Sequence, residues 1–279
     1  MKTNKRILLA LFVAFSCGLF VRSQDSSTDR IVVPLSDPGK PLILKADLVN
    51  GGISVTGYDG KEVVVESKTR GRRIGHEHKA KEEAAGMKRL TQETSGLEVS
   101  EEHNVVRIDT ESWNATTDLI IRVPVAASLK LECVNNGDIV VDNVHGEIEA
   151  ENVNGSITLT RMAGSVMAET VNGKILATFS RVAPDKAMSF VTLNGDIDVT
   201  LPADVKANVR IKSEQQGDVY SDFDIQVKAE SKKTVEDKRK EGGRYRVSID
   251  NSIFGSINGG GPEFQFQTFN GDIMLRKAK

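Results

Sequence analysis

The chain has 279 residues and a mass of 30.4 kDa, room for one large domain or two small ones. With 39% hydrophobic and 27% charged residues, its composition is that of an ordinary soluble protein, which excludes a disordered tail and a polytopic membrane protein. Lys and Arg total 37 against 39 Asp and Glu, so no basic excess points to nucleic acid; 24 Gly and 5% aromatics forecast many turns and a core with few rings.

Residues 1–23 read as a secretory signal. Lys2, Lys5 and Arg6 form a positive start, an apolar run follows from Ile7 to Val21, and Val21-Arg22-Ser23 suits a signal peptidase. Cleavage is expected after Ser23. The run falls short of the roughly 20 apolar residues of a membrane span, and an uncleaved anchor is the alternative. Cys17 is a poor lipidation site, because the apolar run continues past it through Leu19, Phe20 and Val21. Cleavage removes four cations and leaves 33 against 39 anions, a net charge of −6. It also leaves Cys133 as the one cysteine of the mature chain, so no internal disulfide is expected. Within Leu131-Glu132-Cys133-Val134 that thiol reads as a small buried hydrophobe rather than a nucleophile.

Residues 24–30 are polar and read as a flexible N-terminus of the mature chain. Residues 31–66 are strand-rich, with turns at Asp37-Pro38-Gly39 and Tyr58-Asp59-Gly60. Residues 68–96 break the pattern as a charged insertion, with helix formers over 77–93. Strands resume at 97–100, 105–109 and 119–123, where Pro124 ends the last one.

A repeat follows. Gly137, Gly146, Gly155, Gly164 and Gly173 recur every ninth residue. Two residues after them come Ile139, Ile148, Ile157, Val166 and Ile175, and four after them Val141, Ala150, Leu159, Ala168 and Ala177. That alternation means strand. Seven after come Val144, Val153, Met162 and Val171, expected to point inward as well. Asn precedes Gly only at every second unit (Asn136, Asn154, Asn172), so the full period is 18 residues, two strands per coil. Asn-Gly is favoured where the chain takes positive φ. The signal returns at Asn194-Gly195-Asp196-Ile197 and Asn270-Gly271-Asp272-Ile273, more weakly at Gln216-Gly217-Asp218-Val219, and opens at Asn50-Gly51. A β-solenoid with coils about 4.8 Å apart and a meander of tight hairpins both fit. The 18-residue alternation favours the solenoid, because equivalent turns then stack as an Asn ladder and small inward residues such as Ala150 and Ala168 suit a flattened core. Beyond the repeats, residues 190–201 and 207–212 read as strands and 228–243 as a charged surface excursion. Phe223, Phe254, Phe264, Phe266 and Phe269 suggest a terminal cap.

The exported start, the charged insertion before Val123-Pro124 and Leu129-Lys130-Leu131, the Asn-Gly-Asp-Ile repeats and the Asn258–Pro262 run before Asn270–Ile273 together resemble the bacterial putative-adhesin family of β-strand-repeat envelope proteins, a domain of unknown function. The resemblance covers roughly residues 40–277. It implies an all-β solenoid as the single domain of residues 31–279, an envelope address, and no catalytic residues.

Enzyme signatures are scarce. His76-Glu77-His78 lacks the spacing of a helical zinc site and reads as a solvated charged segment, and His145 precedes a turn. The residues after the repeat glycines (Asp138, Glu147, Ser156, Ser165, Lys174) supply no uniform calcium cage. Glu151 and Glu169 lie one coil apart, a separation suggestive of retaining glycosidases, but such pairs arise in any acidic solenoid and Trp113 is the sole Trp to stack on a sugar. No catalytic or metal-ligating residue is therefore assigned, no cofactor is implied, and the binding residues stay unassigned. The leading expectation is a non-catalytic exported envelope protein, an adhesin or binding scaffold. The alternatives are an envelope-stress regulatory accessory, suggested by the resemblance, and a polysaccharide-active enzyme. Partners are expected to be an envelope protein or glycan, without nucleic acid and without membrane integration after cleavage, and exposed terminal coils suggest weak self-association. No translocator barrel, wall-sorting tail or second hydrophobic anchor is read in the sequence, which favours a soluble periplasmic or secreted protein over a self-anchored surface one.

Overall fold

A computed structural model describes residues 28–72, 96–110, 115–228, 233–237, 245–249 and 252–279. The repeats form a parallel β-solenoid. Strands β8 (Ser128–Asn135), β10 (Ile148–Asn154), β12 (Val166–Asn172) and β14 (Met188–Asn194) lie side by side in one sheet, called here the even sheet. Strands β9 (Ile139–Asp142), β11 (Ile157–Met162), β13 (Ile175–Phe179) and β15 (Ile197–Leu201) do the same in the facing odd sheet. Register follows the sequence period: Ile148 stands beside Val166 and Ile157 beside Ile175. The hairpin alternative does not occur in the repeats, whose strand pairs are all parallel.

Alternation places one set of side chains inside. Ile53, Ile139, Ile157, Ile175, Ile197 and Ile273 form an unbroken isoleucine column, each 1% exposed or less. Burying such a side chain contributes about 1.5–3 kcal/mol, so the column is a main source of stability. Facing it, the buried Ala150 and Ala168 keep the two sheets close. Farther along the core Phe190 stacks on Phe266 at 5.3 Å and meets Phe179 edge-on at 6.2 Å.

The inward set is not the one read from the nine-residue unit throughout. Val144 and Met162 are buried as expected, but Val153 and Val171 are more than a third exposed, and Thr170 is 2% exposed. The reason is phase. In the odd sheet, Asn143 and Arg161 take φ of 58° and 56°, and this kink skips one residue and turns Val144 and Met162 back inside. The even-sheet strands run on without a kink, so Asn152 and Thr170 point in and the following valines point out.

Both ends depart from a simple stack. The coil of β2 (Ile43–Asn50) and β3 (Ile53–Tyr58) packs directly on β8 and β9. The intervening β4 (Glu62–Arg72), β5 (Leu97–Glu102), β6 (Val105–Thr110) and β7 (Ala115–Pro124), with β1 (Thr28–Pro34), extend the sheets outward, partly through antiparallel pairs. Strand β4 reaches Arg72, past the expected start of the insertion at 68; the helix expected over 77–93 lies outside the described residues. At the other end β16 (Ala207–Gln216) and β17 (Val219–Ser221) do not adjoin β14 and β15. The last coil, β22 (Glu263–Asn270) and β23 (Ile273–Lys277), is inserted between them. This corrects the cap reading: Phe264 and Phe266 are internal core, fully buried, because the coil carrying them has a neighbour on each side. Strands β18 (Gln226–Lys228) and β21 (Ile253–Ile257) close the even sheet. From the expected excursion, β19 (Lys233–Asp237) pairs with β20 (Tyr245–Ile249), which lies just beyond its bound at 243, as a separate two-stranded sheet.

Candidate functional site

At the corner where each even strand turns toward its odd partner, the Asn side chains form a ladder. Asn270 donates to Asn194, Asn194 to Asn172, Asn172 to Asn154 and Asn154 to Asn135, over 2.8–2.9 Å. Asn136, at φ 65°, completes the line by donating to Asn50 at 3.0 Å. Positive φ is not the reason for Gly137, Gly155 or Gly173, which lack it, and close approach constrains the others as well. A Cβ on Gly155 would overlap the carbonyl of Gly137, one on Gly173 that of Gly155, and one on Gly271 that of Gly195. The corners stack too closely for any side chain. Inside the same corners a polar column caps the glycine carbonyls: Thr170 donates to Gly155, Thr192 to Gly173 and Thr268 to Gly195, each at 2.8–2.9 Å. Asn152 serves Gly137 at 3.1 Å, and the Cys133 thiol points to the Gly51 carbonyl at 2.9 Å. Burial pushes that thiol up to about 11, helped by Asp138 and Asp118. Cys133 is thus buried, as its surroundings in the sequence suggested, and donates to a corner carbonyl as well.

This rigid corner positions the outer face of the even sheet, where three rows run across the strands. The row beside the Asn ladder is apolar: Val49, Val134, Val153, Val171 and Leu193 are in register and 37–48% exposed, and Phe269 continues the line half-buried. The next row is acidic, with Asp47, Glu132, Glu151 and Glu169 in register. The third holds Lys45, Lys130, Glu149 and Met167. Lys130 reaches Glu149 at 2.9 Å and Glu132 at 3.3 Å, and these hydrogen bonds push its ammonium pKa further up. Asp47, Glu151 and Glu169 hold no such ion pair among the described residues. Burial and the neighbouring Glu132 raise the carboxyl pKa of both Asp47 and Glu151. A hollow of about 110 Å³ opens among Glu149, Glu151, Met167, Ala168, Glu169 and Ser189. A larger one of about 260 Å³ is walled by Leu35, Pro38, Pro41, Pro124 and Ala127, with Lys40 as its charged group.

The residues weighed in the sequence separate clearly. Glu151 and Glu169 are direct register partners on the outer face. His145 is half-buried at a turn, where its amide donates to the Val125 carbonyl at 2.7 Å. Asp138 accepts from the Ser156 amide at 2.7 Å, so it ties its corner to the equivalent corner of the next coil. His76, Glu77, His78 and Trp113 lie outside the described residues. Among the described residues no three His, Cys, Asp or Glu side chains converge as metal ligands, and no helix is long and apolar enough to cross a membrane. The apolar row escaped sequence reading because Val153 and Val171 sit where an unbroken nine-residue unit would place core; the signal that could have found them is the strict alternation from Ile148 and Val166.

Three crystal structures are similar. A "putative cell adhesion protein" from Clostridium sporogenes aligns over 90% of this chain and 100% of its own, at 12% identity and a TM-score of 0.48. A "putative adhesin" from Parabacteroides distasonis aligns over 91% and 98%, at 10% identity and a TM-score of 0.34. A "putative adhesin" from Parabacteroides merdae aligns over 91% and 98%, at 8% identity and a TM-score of 0.25. No curated protein matches the chain. The family model described as Toastrack DUF4097 matches residues 44–253, well over half of the sequence. With the Asn-Gly corners and stacked coils already in place, that match bears out the resemblance seen in the repeats: the chain belongs to the Toastrack DUF4097 family, a family of unknown function.

Proposed function

We propose that the protein is an exported, non-catalytic envelope protein that works as a binding scaffold through the outer face of its even sheet. One observation carries this reading. Five in-register aliphatic side chains stay exposed on a parallel sheet beside an acidic row, and contiguous apolar surface of this kind marks interaction sites. The signal-like residues 1–23 supply the export step and favour the periplasm or the cell surface. The expected partner is an envelope protein.

The buried Cys133 makes a direct test practical, since its raised pKa leaves engineered thiols as the reactive ones. Val171→Cys on the even face and Thr158→Cys on the odd face would each carry a photo-crosslinker in intact cells of the native host. Adducts from position 171 and not from 158, recovered from the envelope fraction, are the expected result. Equal labelling from both, or recovery from the cytoplasm, would defeat the proposal. The register of Glu151 with Glu169 keeps one second reading in play, a polysaccharide-active enzyme. Reducing-sugar release from a glycan panel that Glu151→Gln abolishes would establish that reading instead.

A further inference from the structure

We propose that the outer face of the even sheet docks a basic amphipathic helix of a partner protein, with aliphatic side chains on the Val49-to-Leu193 row and Lys or Arg side chains on the adjacent carboxylates. The inference rests on the binding-face reading above and names the chemistry of its partner.

Three features of the face converge on that occupant. The first is spacing. Neighbouring coils are about 4.8 Å apart, and a helix laid along the row offers one apolar side chain per 5.4 Å turn. Over four coils, from Val134 through Val153 and Val171 to Leu193, the two repeats drift apart by only about 2 Å. An extended peptide, with same-side residues about 6.8 Å apart, would lose step within two coils. This is the helix-on-apolar-surface mode of recognition.

The second is charge. Lys130 engages Glu132 and Glu149, while Asp47, Glu151 and Glu169 hold no ion pair among the described residues. After the larger effect of burial, the neighbouring Glu132 carboxylate contributes to the raised pKa of both Asp47 and Glu151, with Asp109 adding to the first and Glu149 and Glu169 to the second. A cation arriving from a partner removes that repulsion. The third is shape. The hollow at Glu149, Glu151, Met167 and Glu169 has an apolar wall in Met167, 53% exposed, and carboxylates around it. A Lys or Arg side chain fits such a site, its methylenes on Met167 and its charged head at the carboxylates.

The same charges argue against two other occupants. Two copies meeting through this face would set one acidic row against another, so any self-association must use the strand ends. An anionic lipid surface would be repelled.

The test uses the mature chain, residues 24–279, and three synthetic 18-residue peptides labelled for fluorescence anisotropy. One is an amphipathic Leu/Lys helix, one is its scramble of identical composition, and one replaces every Lys by Glu. The helical basic peptide is expected to bind at least tenfold more tightly than either other. The pair Glu151→Gln/Glu169→Gln should weaken it at least tenfold, and so should Val171→Ser/Leu193→Ser. A charge-matched control elsewhere, Asp185→Asn/Asp204→Asn, should change it less than twofold. Equal binding of the scramble, or an equal loss in the control, would reduce the effect to net charge and overturn the proposal. Binding of phosphatidylglycerol vesicles that competes with the peptide would overturn it too. Unfolding curves of each variant separate loss of the site from loss of the fold. If no peptide binds while Val171→Cys still crosslinks in cells, the basic helix is wrong and the binding face stands.

Discussion

At several of the repeat corners glycine is held by contact rather than by backbone angle. Gly155 and Gly173 lack positive φ, yet a Cβ on either would overlap the backbone of the coil beneath. Gly155→Ala is therefore expected to destabilise the chain by about 1–3 kcal/mol, as overpacking does, seen as a lower urea midpoint. Gly39→Ala, where a Cβ meets nothing closer than 3.4 Å, should stay within about 0.5 kcal/mol of wild type. Cys133 gives a second residue-level prediction. With a pKa near 11, about one thiol in a thousand is ionised at pH 8, and it is buried besides. The native mature chain should resist a thiol reagent for hours and label fully in denaturant. Rapid native labelling would mean that the Gly51 corner opens readily.

At the scale of the strand, rows decide both stability and recognition. The Asn ladder is exposed, so each lost amide can rebond to water. Asn172→Ala removes two side-chain bonds, to Asn154 and from Asn194, and is expected to cost about 1 kcal/mol in a urea titration. The acidic row acts in the opposite sense. Glu151 has a raised pKa, so the folded state holds its proton more tightly than the unfolded chain does. Its ionisation therefore destabilises the fold, fully so at neutral pH, and the penalty fades as pH falls through the raised folded pKa toward the ordinary value of 4.5. Glu151→Gln should melt above wild type at pH 7, and the difference should close near pH 4. Carboxylates such as Asp47 and Glu151, whose ionisation works against the fold, suit a surface shaped by binding. The alternation within each strand was legible in the sequence, and so was the Asn ladder. The kink at Asn143 and Arg161 was not, because neither residue type requires positive φ; the true side of Val153 and Val171 was missed because one nine-residue unit was applied to strands that alternate without that kink.

At the scale of the whole molecule, the order of coils in space is not their order in the chain. The β22–β23 coil lies between β14–β15 and β16–β17, so residues 263–277 join two parts of the solenoid instead of ending it. Removing them leaves Phe190 without its stacked partner Phe266 and opens both neighbouring strand edges. Truncation after Pro262 is expected to abolish cooperative unfolding in calorimetry rather than lower the midpoint by a few degrees. A shortened chain that still melts cooperatively would mean that the repeats fold without the inserted coil.

The sequence by itself determined the strand period, the two strands per coil, the stacked Asn-Gly corners and the buried role of Cys133. All of these follow from local alternation and from residues that must meet their own copies one period away. Tertiary structure alone decided the insertion of the last coil and the internal place of Phe264 and Phe266. It also decided which strands lie side by side so that Val49 to Leu193 line up as one row. These depend on which distant segments pair, as β2 does with β8 and β14 with β22, and a strand edge offers the same backbone hydrogen bonds to any partner of matching register. The choice among partners rests on side-chain volumes packed across the core, which no local period contains.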